Sequence, residues 1–207
     1  MEIDISVVVP FYNAERYIEQ CVNALLAQNC PSMRYEIIMI DNNSTDSSAA
    51  IVRKYSRIRL FSELKQGAYA ARNRGVAASK GTIIAFTDAD CVPCREWLKE
   101  ITAGMRWPGV SLILGGRQYA VESPALSILS TYESERADLI FSSKVREIYY
   151  GYTNNMAVRR DVFDCCGPFL EIMRGADSVF VHRVIASYSC DAARYVPTAR
   201  IRHLEIT

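Results

Sequence analysis

Two carboxylates spaced two residues apart, Asp88 and Asp90, are the residues of this sequence best suited to chemistry. They follow the apolar run 82–87, and in extended backbone alternate side chains share a face, so both acids can reach one ligand. Paired carboxylates suit a hard divalent cation, which proteins commonly hold through one or two carboxylates together with substrate phosphates. A third acid, Asp41, ends another apolar run at 35–41. A D-x-D pair alone is a weak motif, but acids placed behind two buried strands predict a ligand site.

The elements that must position these acids are predicted from hydrophobic periodicity. Nearly continuous apolar runs predict four strands, at 5–11, 35–41, 58–62 and 82–87. The segments between them have apolar residues at helical spacing. Strand–helix alternation with short loops predicts parallel pairing, right-handed crossovers and helices on both faces of the sheet. Ligands of such sheets lie at the carboxyl ends of the strands, which is where the three acids fall.

The second half of the chain is less regular. Helical periodicity predicts helices at 97–105, 124–141 and 176–187, the last opening on Asp177. Shorter apolar runs predict strands at 110–114 and 155–158 and two edge strands at 192–196 and 200–203. The sequence contains no linker, internal repeat or low-complexity tract, so a single domain spanning 1–207 is predicted.

Composition excludes several classes of protein. Half of the 207 residues are hydrophobic and 23% are charged, which predicts a folded domain with a core. The formal charge of +1 argues against a nucleic-acid-coating protein. No apolar run approaches the roughly 18–20 residues that cross a bilayer, and no signal peptide opens the chain. Contact with a membrane surface stays open.

The seven cysteines predict a reducing compartment rather than a disulfide framework, because their number is odd and their spacing irregular. Cys91 and Cys94 form a C-x-x-C pair, but a structural zinc site would need a second pair at comparable spacing. The sequence therefore favours packing roles for these thiols. Two histidines and no G-x-S-x-G give little support to a serine hydrolase. Since Gly-rich phosphate loops are also lacking, a bound phosphate would be held through metal.

Five segments carry a resemblance to the family 2 glycosyltransferases of the GT-A fold. They are V-V-V-P-F-Y-N-A-E-R-Y-I, I-D-N-N-S-T-D-S-S, G-A-Y-A-A-R-N-R-G-V-A-A-S-K-G, F-T-D-A-D-C and, more weakly, N-N-M-A-V-R-R-D-V-F-D-C-C-G-P-F with G-A-D-S-V-F-V-H-R. The motifs span nearly the whole chain, and in this order they are specific. The resemblance implies a Rossmann-like α/β fold, with a mostly parallel central sheet flanked by helices and a smaller acceptor-side region. Residues 1–90 would then bind the nucleotide sugar and 91–207 the acceptor.

The resemblance also assigns roles to individual residues. It implies a nucleoside and nucleotide site formed by Pro10, Tyr12, Asn13, Glu15, Asp41, Asn43, Gly67, Arg72, Asp88 and Ala89. Asp41 would read the base, usually uracil. The implied ligands of Mn²⁺ or Mg²⁺ are Asp90, Asp88 and His203, and Asp88 would also reach the ribose. Asn154 and Asn155 would form part of the acceptor wall, although a plain strand end is an equal alternative.

Asp177 matches the catalytic base of the family. The implied reaction is inverting transfer of a sugar from a nucleotide sugar, with a UDP-sugar favoured, to a hydroxyl of a glycan or lipid-linked acceptor. It would serve polysaccharide or glycolipid synthesis in the cytoplasm or at the inner face of the membrane. The cation would stabilise the leaving diphosphate while the base removes the acceptor proton. On position alone Asp177 could equally be an ordinary first-turn acid.

One departure keeps an alternative open. Family members usually carry Glu-Asp where this chain has Ala176-Asp177, so one carboxylate is missing beside the implied base. A non-catalytic nucleotide-sugar-binding partner of a larger synthase is therefore the second hypothesis. A nucleotidyltransferase is disfavoured, because the loop at 10–16 lacks the Gly-rich basic sequence that holds a triphosphate. The sugar, the linkage and the oligomeric state are not predicted.

Overall fold

The computed structural model describes residues 3–119 and 123–204. The strands are, in chain order, β1 (Ile5–Phe11), β2 (Tyr35–Asp41), β3 (Ile58–Ser62), β4 (Ile83–Thr87), β5 (Cys91–Pro93), β6 (Leu112–Tyr119), β7 (Asn155–Arg159) and β8 (Ala193–His203). The helices are α1 (Ile18–Leu26), α2 (Ser48–Val52), α3 (Ala68–Ala78), α4 (Trp97–Met105), α5 (Pro124–Ser143), α6 (Arg160–Cys166) and α7 (Ala176–Ser187). The strands form one sheet in the order β3-β2-β1-β4-β7-β6-β8-β5.

Strand β1 lies inside the sheet and is covered on both faces, which explains its nearly continuous run of apolar residues. Val7 and Val9 belong to the core cluster on one face, whereas Val8 belongs to the cluster on the other. Helix α3 packs closely against the second face because Gly75 has no Cβ, and one added there would lie 2.3 Å from Val8 Cγ1. The two-sided burial predicted from the sequence is confirmed.

The order of the first four strands creates a crevice. The chain moves outward from β1 to β2 and β3 and then crosses back to β4 on the other side of β1, with parallel pairing throughout. Pairing between β1 and β2 continues as far as Phe11 and Asp41, but pairing between β1 and β4 ends at Val8 and Phe86. The neighbours of β1 therefore separate at a topological switch point, the usual position of a ligand in such sheets.

The second half extends the same sheet with mixed strand directions. Strand β7 is antiparallel to β4 and β6, while β8 is parallel to β6 and antiparallel to β5. The prediction of two edge strands at 192–196 and 200–203 is wrong, because both belong to β8, which has a neighbour on each side. The predicted end of β6 before Gly115 is also wrong, since the strand continues across a bulge to Tyr119. A Cβ on Gly115 would lie 2.2 Å from the Ala199 carbonyl oxygen, so this glycine lets the two strands approach.

The predicted fold class is confirmed, with a mostly parallel sheet and helices on both faces. No helix within 3–119 or 123–204 combines the length and the apolar character that a membrane crossing requires. All seven cysteines are free thiols.

Candidate active site

The two acids of the D-x-D pair have different neighbours. Asp88 forms an ion pair with Arg72 of α3, whose side chain is 5% exposed. Asp90 Oδ2 lies 3.4 Å from Nε2 of His203, and the Cys91 thiol lies 3.5 Å from Asp90 Oδ1. His203 comes this close because β5 pairs Cys91 with His203 at the end of β8. The charge of Asp88 is thus neutralised by Arg72, whereas Asp90 lies beside two further potential metal ligands, Cys91 and His203.

The surroundings of Asp90 suit a bound cation. Burial raises the pKa of Asp90, the charge of Asp88 raises it further, and His203 offsets part of the effect. Ionising such a carboxylate alone is unfavourable, and a divalent cation beside it removes the penalty. The ligand atoms of Asp90, Cys91 and His203 all lie within 4.8 Å of one another. Carboxylate oxygen with imidazole nitrogen fits Mn²⁺ or a related first-row cation, so the residues present fit the cation that the sequence implies.

Asp177 is connected to the D-x-D pair through helix α3. It is the second residue of α7, after Gly175 at φ +83°, and it is half-buried. The Tyr69 side chain lies near Asp177, and burial followed by the Asp177 charge raises the pKa of Tyr69. Arg72, three residues further on, lies with its guanidinium carbon 5.4 Å from the Tyr69 ring centroid and pairs with Asp88. Asp88 and Asp177 therefore flank one turn of α3.

Unpaired polar atoms concentrate at this edge of the sheet. Among the described residues, three of the buried side-chain atoms without a hydrogen-bond partner are Arg72 Nε, Thr87 Oγ1 and Asn154 Oδ1. Thr87 directly precedes Asp88 and lies opposite Asn155 in the β4–β7 pair, so Asn154 is close by. Because most buried polar groups in folded proteins are paired, a local excess of unpaired ones marks a place for a ligand or bound water.

The loops after β1 and β2 hydrogen-bond to one another. Asn13 Oδ1 accepts from the Thr45 N–H at 2.8 Å, and a Glu15 carboxylate oxygen accepts from the Ser47 N–H at 2.9 Å. In return, Asp46 accepts from the Glu15 N–H at 3.0 Å. Two of the residues assigned to the nucleoside site therefore fix the loops that would form it. The sequence gives no local signal for these contacts, because the partners are about thirty residues apart.

Asp41 and the amides after it shape the end of β2. Asp41 Oδ1 accepts from the Ser44 N–H at 2.9 Å, and Asn43 takes a left-handed conformation at φ +69°. Asn42, to which the sequence assigned no role, is buried, and its Oδ1 accepts from the Gly67 N–H at 2.7 Å. Asn42 thereby fixes the loop that leads into α3.

The remaining nucleotide-site residues differ in exposure. Pro10 and Ala89 are buried, the first within β1 and the second between the two acids. Tyr12 is 53% exposed after the end of β1, where its ring is open to solvent.

Asn155 does not lie on an acceptor surface, contrary to expectation. It is 1% exposed, and its Oδ1 accepts from Trp97 Nε1 at 2.9 Å. Its Nδ2 donates to the Gly116 and Ala199 carbonyl oxygens at 2.8 Å each. The amide is thus fully occupied in joining β7, β6 and β8, and only Asn154 keeps a polar atom for a ligand.

The segment before α7 is tied to α3. Asn73 Nδ2 donates to the Phe169 carbonyl oxygen at 2.9 Å, and Asn73 Oδ1 accepts from the Phe169 N–H at 3.0 Å. Glu171 pairs with Lys65. Ala176 is completely buried, so the carboxylate missing beside Asp177 is replaced by core packing.

Comparison with known proteins identifies the class to which this fold and site belong. The chain belongs to glycosyl transferase family 2, whose sequence profile matches residues 6–178. Glycosyltransferase AglE of Haloferax volcanii is 32% identical over 203 residues, covering 93% of this chain and 65% of AglE. The chain thus spans slightly less than two thirds of that relative.

Solved structures show the same GT-A fold, as the sequence predicted. A fragment of S. aureus TarS in complex with UDP-GlcNAc superposes with a TM-score of 0.74 at 21% identity, covering 99% of this chain and 59% of that one. The mannosyltransferase PcManGT of Pyrobaculum calidifontis, in complex with GDP-Man and Mn²⁺, gives a TM-score of 0.77 at 21% identity, with 98% and 57% covered.

Proposed function

We propose that this chain is an inverting, metal-dependent glycosyltransferase that moves a sugar from a nucleotide sugar, with a UDP-sugar favoured, to a hydroxyl acceptor. The observation that carries the proposal is the convergence on α3, where Arg72 pairs with Asp88 and Tyr69 lies near enough to Asp177 for that charge to raise the pKa of Tyr69. Asp88, proposed for the nucleotide side, and Asp177, proposed for the acceptor side, thereby flank one turn of α3. A single displacement needs the donor and the acceptor bound next to each other, and two acids this close can serve both.

The nucleoside is proposed to bind in the crevice beside β1, with Asp41 reading the base. The interlocked loops support this role, because a preformed pocket loses little conformational freedom on binding. The TarS fragment binds UDP-GlcNAc, which supports a uracil nucleotide. PcManGT binds GDP-Man, which makes a GDP-sugar the competing donor.

Asp90 and His203 are the residues proposed to hold the cation, with Asp88 beside them. A bound Mn²⁺ or Mg²⁺ would stabilise the negative charge that develops on the departing diphosphate. Since Arg72 already neutralises Asp88, this carboxylate suits a hydrogen bond from the ribose better than a ligand position. Arg72 adds a fixed positive charge to the same edge of the sheet.

Asp177 is proposed to be the general base. It lies in the first turn of α7 and beside the Tyr69 side chain. As the acceptor oxygen bonds to the anomeric carbon, its proton passes to Asp177 and the bond from that carbon to the diphosphate breaks. One displacement of this kind inverts the configuration.

The acceptor is proposed to be a glycan or a lipid-linked saccharide used in polysaccharide or glycolipid synthesis. The segment before α7 carries three exposed apolar side chains, Leu170, Ile172 and Met173, the last 94% exposed. Their position next to the proposed base supports an acceptor with an apolar part, presented at the cytoplasmic face of a membrane.

A donor and acceptor screen tests the proposal. UDP-, GDP- and dTDP-sugars with Mn²⁺ are first ranked by thermal shift, since a ligand of the native form raises the melting temperature. Release of the nucleotide is then measured with saccharide and lipid-linked acceptors, and the anomeric configuration of the product is read by NMR. We expect nucleotide release and an inverted product. A retained configuration contradicts the mechanism, and tight UDP binding without release from any pair favours the non-catalytic binding partner.

A further inference from the structure

Cys91 brings a sulfur atom to the proposed cation site. Its thiol lies 3.5 Å from Asp90 Oδ1, and Asp90 Oδ2 lies 3.4 Å from His203 Nε2. All three ligand atoms lie within 4.8 Å of one another. The C-x-x-C partner is not involved, because the Cys94 thiol is directed to the Thr198 carbonyl oxygen. The sequence favoured packing roles for these thiols, because a structural zinc site would need a second cysteine pair, but the structure places a carboxylate and a histidine beside Cys91.

The spacing of these atoms matches a tetrahedral metal site. Metal–ligand distances of about 2.0–2.3 Å for zinc place neighbouring tetrahedral ligands roughly 3.4–3.6 Å apart. The sulfur–oxygen separation of 3.5 Å and the nitrogen–oxygen separation of 3.4 Å lie in that range, the first measured to Asp90 Oδ1 and the second to Asp90 Oδ2, so the carboxylate presents one oxygen to the thiol and the other to the imidazole. One thiolate, one imidazole and one carboxylate are all established zinc ligands, and three protein ligands leave a further position for water or substrate oxygen.

We propose that Cys91 is a ligand of this cation site together with Asp90 and His203, and that the site prefers thiophilic divalent cations such as Zn²⁺ and Co²⁺ over Mg²⁺. The inference rests on the proposed function for the location of the cation. When the metal–sulfur bond forms, the thiol proton is released to solvent. Thiolate ligands select softer metals, whereas a site of carboxylate and water alone suits Mg²⁺.

Cys21 provides a matched control. Like Cys91, it is fully buried, and burial followed by the charges of Asp88 and Asp90 raises the pKa of both thiols. Its thiol, however, donates to the main-chain oxygen of Asp88 at 3.5 Å and lies outside the ligand set. Cys21→Ser and Cys91→Ser therefore make the same chemical change in the same part of the core, and only one removes a ligand.

Titration of the full chain with Co²⁺ under a non-thiol reductant tests the inference. We expect a thiolate-to-cobalt charge-transfer absorption in the near ultraviolet for wild type and Cys21→Ser, and none for Cys91→Ser. Zn²⁺ affinity, measured by competition with a chelating dye, should fall by at least about tenfold in Cys91→Ser, because even outer-shell partners of ligands contribute that much. Mg²⁺ affinity should stay within about twofold, since Mg²⁺ takes oxygen ligands.

Absence of the charge-transfer absorption in wild type overturns the inference, and so does its persistence in Cys91→Ser. If Cys91→Ser does not fold, the test uses a variant that lacks the three partly or fully exposed thiols, Cys94, Cys165 and Cys190. The charge-transfer absorption must persist in this variant, and its loss there overturns the inference. Mn²⁺-dependent UDP binding separates the two proposals. If the wild-type protein shows Mn²⁺-dependent UDP binding but no charge-transfer absorption, only the assignment of Cys91 as a ligand is wrong. If it shows neither Mn²⁺-dependent UDP binding nor the absorption, the proposed function is contradicted as well.

Discussion

Carboxylates have opposite surroundings at the two edges of the sheet, the amino edge where strands β1 to β4 begin and the carboxyl edge where they end. At the amino edge, Glu36 accepts from Ser6 Oγ at 2.6 Å and from the Lys80 N–H at 2.7 Å and pairs with Arg59. Burial raises the pKa of Glu36, but these three partners together lower it by more than burial raises it. The net shift of this pKa is therefore downward. At the carboxyl edge, burial and a neighbouring acid leave Asp90 with a raised pKa.

The difference separates a carboxylate that stabilises the fold from one that we propose binds a cation. The amino edge satisfies its acid within the protein and holds the ends of the strands together. The carboxyl edge combines an unfavourably ionised acid with the unpaired polar atoms of Arg72, Thr87 and Asn154. Substitutions at the first edge should therefore change stability, and substitutions at the second should change binding and rate.

The largest effect is expected from Asp177→Asn. The amide keeps the shape of the side chain but cannot accept the acceptor proton, so turnover should fall about a thousandfold. UDP affinity, measured by calorimetry, should stay within about twofold, because Asp177 is not proposed to touch the nucleotide. Asp161→Asn is the matched control, since Asp161 is also the second residue of a helix, α6. Equal turnover in the two variants contradicts the assignment of the base.

Asp90→Asn should remove the effect of the cation on nucleotide binding. Loss of a ligand is expected to weaken Mn²⁺-dependent UDP binding by roughly 10- to 100-fold. Glu36→Gln, the corresponding change at the opposite edge, should leave that binding unchanged. Titration of UDP at fixed Mn²⁺ makes the comparison, and undiminished binding in Asp90→Asn places the cation elsewhere.

Tyr69→Phe should slow transfer by about tenfold, because we propose that the Tyr69 hydroxyl helps to position the nearby Asp177 carboxylate, with an effect of the size of one net hydrogen bond, about 1.5 kcal/mol. The donor KM should not change, because the hydroxyl acts through the position of Asp177. Tyr149→Phe is the control, since its hydroxyl donates to main-chain oxygens of Phe141 and Cys190. A change in donor KM with unchanged kcat in Tyr69→Phe would assign this hydroxyl to the nucleotide instead.

The smallest effects are opposite changes in stability at the two edges. Glu36→Gln should lower the free energy of unfolding by about 1–3 kcal/mol, because the side chain is 10% exposed and its partners lose a charged acceptor. Asp90→Asn should raise the melting temperature of the cation-free protein, because an unfavourable buried charge is removed. Chemical and thermal denaturation measure both, and a common sign for the two variants contradicts the contrast between the edges.

The pH dependence follows from the lowered pKa of Glu36. A carboxyl whose pKa is lower in the folded state contributes stability above its unfolded value, near about 4.3, and loses it as the pH falls through the folded value. The difference in unfolding free energy between wild type and Glu36→Gln should therefore be constant near neutral pH and shrink in acid. A difference that grows in acid contradicts the assignment.

The first half of the fold could be predicted because its signals are local. The apolar runs that form β1, β2 and β4 are nearly continuous, and polar residues follow each of them directly where the strand ends. Parallel alternation then places Asp41, Asp88 and Asp90 at one edge without further information.

The second half could not be predicted in the same way, because its contacts depend on strand order. Nothing near His203 indicates that a three-residue strand will pair it with Cys91. Asn155 reads as a polar strand end, yet the order β4-β7-β6 encloses it between neighbours. The reach from Tyr69 to Asp177 depends likewise on how α3 packs on the sheet, which no local pattern encodes.

A crystal structure with UDP and Mn²⁺ tests the central claim most directly, that acids from β4 and α7 face one bound nucleotide sugar. The anomalous signal of manganese locates the cation independently of the refined coordinates. We predict a single peak between Asp90 and His203, with uracil beside Asp41 and the Asp177 carboxylate across the cleft from the diphosphate. A peak away from Asp90, or an Asp177 side chain turned away from the nucleotide, would contradict the account.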